Sequence, residues 1–276
     1  MDWCRGGRPT DFGFSVTGLL TRWPMGCIDL FSVEAGWGFR AETLEECASR
    51  CGRWLNHLWD IHPDFRTLCW TGTGQQVPTR NLRDLCRSGA LPRLFRSCRV
   101  HNTSRTRIRP DGWELTATHG NGSSQWLNLH LHVGSGSEDV DRGWLPNRVE
   151  LAIIAGSNPG ALAEMLLGLK PILFSMVDTW EVDLGWISSS SRTAQTAGRD
   201  SELLHWRLRG SWAFYLAERF ARRVTPPART VVERRAGGGL FMAACKDVFD
   251  ASDAGHVKAA SAIDACLLLL KPWPDG

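Results

Sequence analysis

One tyrosine, Tyr215, stands against fourteen tryptophans in 276 residues, so any chemistry that needs a phenol rests on a single position. Long apolar runs are missing as well. The longest, around 151–155, 172–174 and 266–270, fall far short of the roughly 20 residues a membrane helix needs, and no transmembrane segment is expected. Behind the N-terminal charges Asp2, Arg5 and Arg8 there is no apolar stretch of the kind that marks a cleaved secretory signal. That absence argues against an oxidising compartment and for an intracellular protein. No internal repeat is visible, and no second Cys-x(2–4)-Cys pair completes a zinc quartet.

The apolar content of 43% is enough for a substantial core in one large or two modest domains. Seven of the nine cysteines fall in the first 98 residues, an odd number in an odd total, which reads as reduced, partly buried thiols. Cys47 and Cys51 share a face of a predicted helix and could pair or hold zinc. Net charge is only +3 but segregated. Residues 93–109 carry six arginines and no acid, and residues 207–235 carry eight arginines against Glu218 and Glu233. Such segregation points to an anionic partner, with a solvated arginine surface as the plain alternative.

The pattern predicts strands over 12–20 and 28–33. Thr43-x-x-Glu46 is a capping box ahead of apolar residues at helical spacing, which predicts a helix over about 44–59. Residues 72–110 read as a basic loop. Strands over 113–118 and 125–133 flank a glycine-rich turn at 119–124, and 149–155 reads as a buried strand. Asn158 and Pro159 should open a helix that Pro171 kinks or ends. A strand over 180–187, a Ser/Thr-rich loop over 188–196, a helix over about 202–223 carrying Tyr215, and a helix over 251–270 complete the pattern.

Within Trp126–Val133, Leu127, Leu129, Leu131 and Val133 alternate with Asn128, His130 and His132, the period of a half-buried strand. His130 and His132 then share a face with Cα atoms about 6.5–7 Å apart, close enough to share one divalent ion. Imidazole with carboxylate ligands and open positions suits Mg²⁺ or Mn²⁺. Glu114 and His119 are both candidates for a third ligand. A tyrosine hydroxyl is ionised only about one part in a thousand at pH 7, a deficit of about 4 kcal/mol, so a nucleophilic Tyr215 needs help. On a helix, Arg219 lies one turn on and could supply it. A second reading makes Tyr215 a core aromatic.

The order of these parts resembles the nuclease domain of parvovirus-type Rep replication initiators, of the HUH endonuclease superfamily. The resemblance rests on His130-Leu131-His132-Val133, the amphipathic helix around 162–177, Trp186-Ile187 with its polar loop, and Phe214-Tyr215-Leu216-Ala217-Glu218-Arg219. It covers roughly residues 113–223, and it extends to the Rep-like proteins that avian adenoviruses carry, of which the resemblance would make this chain one. It implies an α+β fold, a mainly antiparallel sheet flanked by helices, with a Cys-rich segment over 1–110, an HUH-like core over 111–225 and a helical linker over 226–276. It also implies metal at His130 and His132, Tyr215 as nucleophile, and nicking or binding of single-stranded or hairpin DNA in a host nucleus. Arg105, Arg107, Arg109, Arg222 and Arg223 would track the phosphates. The family's acidic third ligand has no counterpart, an insertion follows the histidine strand, and no Gly-x(4)-Gly-Lys-Ser/Thr follows. These departures also fit a catalytically decayed, DNA-binding form.

A second resemblance lies in Thr43–Cys51, which looks like the helix of extracellular PAN/apple modules. It implies a disulfide-containing binding protein, with Asn102 and Asn121 as glycosylation acceptors.

Overall fold

The computed structural model describes residues 30–71, 80–101, 108–119, 127–135, 146–154, 164–196, 208 and 210–270. Among the described residues, eleven strands form one antiparallel sheet. They are β1 (Leu30–Trp37), β2 (Leu68–Trp70), β3 (Arg80–Asn81), β4 (Arg99–His101), β5 (Ile108–His119), β6 (Leu127–Val133), β7 (Asn147–Ile154), β8 (Leu184–Ser189), β9 (Ser211–Leu216), β10 (Val231–Arg234) and β11 (Leu240–Ala243). Their order is β10-β11-β9-β8-β1-β7-β6-β5-β2-β3, and β4 shares an edge of β5 with β2. This is the α+β, mainly antiparallel architecture expected from the sequence. All three segments distinguished there contribute strands to it.

Alternation decides which side of the sheet is dry. Val33, Leu151, Leu129 and Ala117 lie in one cross-strand row, all fully buried. Two helices cover that face: α1 (Leu44–Ile61) and α4 (Leu169–Trp180). Thr43 closes the predicted capping box, and Leu44, Cys47, Cys51, Trp54, Leu55 and Leu58 turn inward at helical spacing. The Trp54 indole donates to Ser175 Oγ of α4 at 3.0 Å, and Trp180 stacks on Trp37 of β1 with ring centroids 5.4 Å apart. Gly185 lets α4 approach β8, since a Cβ there would stand 2.6 Å from Leu173 Cδ1.

Several expectations need correction. Residues 80–101 are not a loop. They hold β3, β4 and the short helices α2 (Leu82–Arg87), capped by Asn81, and α3 (Leu91–Ser97), with Pro92 in its first turn. The break expected at Pro171 is present, and the proline itself sits in the first turn of the helix that follows it, α4, where a missing N–H costs nothing. Its ring excludes a continuous helix from 164–167, and the chain turns at Gly168. Residues 190–196 form α5 (Ser190–Thr196) instead of a loop. Tyr215 lies in a strand: β9 is buried at all six positions, which erases the two-residue period, and the short α6 (Glu218–Ala221) follows it. The C-terminal helix is α7 (Ala254–Leu268), packed on β9 and β11. The strand expected over 12–20, the glycine-rich turn and the Asn158-Pro159 helix start lie outside the described residues.

Gly112 marks a tight point in β5, with φ +86° and the Val133 carbonyl oxygen 2.1 Å from where a Cβ would be. Gly237 has a similar φ of +85° but open space around it. Chemical denaturation should therefore show Gly112→Ala costing on the order of 2–3 kcal/mol and Gly237→Ala only about 1 kcal/mol. Equal costs would refute the packing at Gly112.

Candidate functional site

The opposite face of the same strands carries the ionisable residues. Register places Trp186, Glu34, Glu150, His130 and Thr116 in one row across β8, β1, β7, β6 and β5, with Gly36, Arg148, His132 and Glu114 in the next. Every one of these residues alternates with a buried hydrophobe, so the strand geometry that forms the core also gathers this cluster. Glu34, Glu150 and His132 are buried.

His130 is held from both sides. Its Nε2 lies 2.8 Å from Glu114 Oε1, and its Nδ1 lies 3.3 Å from Arg148 Nη2. A guanidinium only donates, so Nδ1 accepts and Nε2 carries the proton given to Glu114. Arg148 also reaches Glu150 Oε2 at 3.8 Å. Ser32 Oγ donates to Glu34 Oε1 at 3.1 Å and lies 2.6 Å from Ser188 Oγ.

Glu34 and Glu150 sit directly opposite each other. Burial pushes the Glu34 carboxyl above its ordinary range, against the pull of Arg148, Ser32, Trp186 and His130. Burial, reinforced by Glu34, pushes Glu150 up to about 8, with Arg148 opposing. The pair titrates as a unit and holds a proton at neutral pH. It stores a proton, and Arg148 links Glu150 to the His130 imidazole.

Of the sequence-derived candidates, His130, His132 and Glu114 share this face. Glu114 is directly opposite His132 but bonds diagonally to His130. His119 alternates onto the other face with Ala117. Both ring nitrogens of His130 are engaged by Glu114 and Arg148, and among the described residues no group of three or more His, Cys, Asp or Glu is arranged to hold a metal ion.

Tyr215 projects to the α4 face, since it pairs with Gly185 and Phe241, whose ring meets Phe174 of α4. Four strand spacings, roughly 19 Å, separate β9 from β6. Burial raises the Tyr215 hydroxyl above its ordinary range, and Asp178 and Asp183 add to this against Arg235, so the phenol is held further from ionisation. Arg219 pairs with Asp183 at 2.6 Å, in a helix that begins only after Tyr215. Arg222 pairs with Glu218 and Arg223 donates to the Leu270 carbonyl. Arg105 and Arg107, like the side chain of Arg109, lie outside the described residues.

The cluster's principal members, Glu34, Arg148 and Glu150, were not among the residues expected from the sequence. Their signal was available: Phe31-Ser32-Val33-Glu34-Ala35 and Arg148-Val149-Glu150-Leu151 alternate as clearly as the histidine strand does.

The model of the immunity protein 52 family, Imm52, matches residues 29–271. The chain belongs to the immunity protein 52 family. Comparison with curated proteins finds no match. Among solved structures the chain is similar to Pseudomonas aeruginosa T6SS protein PA0821, with 15% identity and a TM-score of 0.46, over 87% of this chain and 73% of that one.

Membership of a bacterial toxin-immunity family overturns the resemblance to viral replication initiators, and with it the DNA-nicking activity, the avian adenovirus source and the host nucleus. The apple-module alternative is not supported either: Cys47 and Cys51 are buried and free in the Imm52 fold, with thiols pushed up by burial, Cys47 to about 12. Among the described residues no helix is long and apolar enough to cross a membrane. Alternation reveals the histidine strand and its polar face, while the partners of His130, Glu114 and Arg148, are set by how β5 and β7 register against β6.

Two outcomes follow for this Imm52 protein. A carboxyl raised in the folded state favours the protonated form, so its contribution to stability is complete below pH 4.5 and is lost as pH rises toward about 8. Denaturation at pH 5 and pH 8 should show Glu150→Gln gaining on wild type at the higher pH; a variant that instead loses ground there would contradict the buried pair. In ¹⁵N spectra, neutral His130 should carry its proton on Nε2, and a proton on Nδ1 would break the Arg148 contact.

Proposed function

We propose that this Imm52 protein neutralises a cognate protein toxin by binding it, without chemistry of its own. The observation that carries this is the family match over residues 29–271, which spans the sheet from β1 to α7. Immunity proteins bind toxins. The site geometry is consistent with it: the ionisable groups of the polar face are engaged with one another, and the only tyrosine packs against α4's side of the sheet with its hydroxyl held protonated. A sheet of eleven strands braced by α1 and α4 offers a preformed surface that needs little reorganisation to dock.

The test is co-expression in bacteria with the toxin domain encoded beside the chain's own gene. Growth should be restored and a complex should co-elute on size-exclusion chromatography; continued killing with no complex would refute the proposal. Tyr215→Phe should protect as well as wild type, and neither protein should form a covalent adduct with labelled single-stranded DNA in Mn²⁺. Loss of protection in Tyr215→Phe would reopen a chemical role for the phenol.

A further inference from the structure

Residues 62–99 carry seven arginines, Arg66, Arg80, Arg83, Arg87, Arg93, Arg96 and Arg99, against Asp64 and Asp84, with no lysine. The fold does not spread this charge evenly. The C-terminal turns of α1, the 3-10 helix Pro63–Thr67 and α2 enclose an open cleft of about 460 Å³ lined by Asn56, Trp59, Asp60, Arg66, Arg83, Cys86 and Arg87. Arg83 and Arg87, four residues apart on α2, present to one side. Arg66 is braced by donation from its Nη2 to the Trp59 carbonyl at 3.1 Å. Among the described residues no carboxylate stands within ion-pair distance of these three guanidinium groups, Asp60 included. Arg93 and Arg96 on α3 and Arg99 on β4 are exposed as well.

Unpaired guanidinium groups gathered in a concavity are a costly arrangement unless something anionic completes them. Arginine in place of lysine favours planar, bidentate partners, carboxylates or phosphates. A single-stranded nucleic acid would want exposed aromatic rings on which to stack bases. The large exposed hydrophobes among the described residues are Leu167, Val232 and Leu269, none of them aromatic or at the cleft, and Trp59 is only 8% exposed. We infer that the α1–α2 cleft is the docking site for acidic side chains of the toxin, with Arg66, Arg83 and Arg87 gripping Asp or Glu carboxylates. This rests on the immunity reading and adds to it the face used and the chemistry of the partner.

The experiment measures affinity for the toxin domain that wild type neutralises. Arg83→Glu with Arg87→Glu should weaken binding on the order of 100-fold. Arg234→Glu, an exposed reversal on β10 at the far edge of the sheet, should change it within about twofold. Reversing an acidic residue of the toxin to arginine should restore part of the loss. Arg83→Lys with Arg87→Lys keeps the charge and removes the fork; if the Glu pair fails to fold, a loss of binding in the Lys pair supports the cleft and wild-type binding overturns it. A folded Glu pair that binds the toxin like wild type overturns the cleft and leaves immunity standing. If wild type protects against no toxin, the immunity reading fails by itself, and titration with an oligoglutamate peptide still decides the cleft: binding lost in the Glu pair supports it, no binding to wild type overturns it. An oligothymidylate that displaces oligoglutamate from the same arginines also overturns it, in favour of a nucleic acid.

Discussion

Strand register is the constraint from which the rest of this molecule follows. Side chains alternate with a period of two, so sliding β7 one residue past β1 would drive Arg148 and Glu150 beneath α4 and lift Val149 and Leu151 out of the core. Each fully buried leucine or valine in those rows is worth roughly 1.5–3 kcal/mol, and the whole set acts together to hold one alignment. The same alignment sets Glu34 against Glu150 and brings Arg148 beside His130. The polar cluster is thus a by-product of the dry face, stabilised by a shared proton and by Arg148.

A chain built this way is well suited to recognition. Its ionisable groups on the sheet face answer one another, while the basic surface around α2 and α3 is left without carboxylate partners among the described residues. Charge satisfied inside and unsatisfied outside is the electrostatic pattern of a protein whose partner completes it. The cysteines fit the same division: those of α1 are buried and free, with thiols that burial keeps protonated.

How much the sequence disclosed varied with local physics. Helix α1 was legible because a capping box and a one-sided apolar stripe agree. Strand β6 was legible because one of its faces is polar. Strand β9 was hidden because Ser211–Leu216 is buried on both faces and its residues tolerate a helix equally well. The short helices α2 and α3 were hidden because six or seven residues rich in arginine, punctuated by Pro92, look like a loop until Asn81 caps one and tertiary packing holds both. The apparent catalytic constellation failed for a topological reason. Order along the chain placed His130 before Tyr215, but β7, β1 and β8 intervene in the sheet and the two side chains leave opposite faces. Nothing in the local pattern of either residue encodes that separation.

Neutralisation by binding implies a stoichiometric relation between this protein and its toxin. The most direct measurement is a titration of toxin activity against the purified chain at a concentration well above the dissociation constant. Binding alone predicts a linear fall that reaches its floor at molar equivalence, with both proteins recovered intact from the complex. Inactivation by a small fraction of an equivalent, with the toxin recovered cleaved or modified, would contradict it.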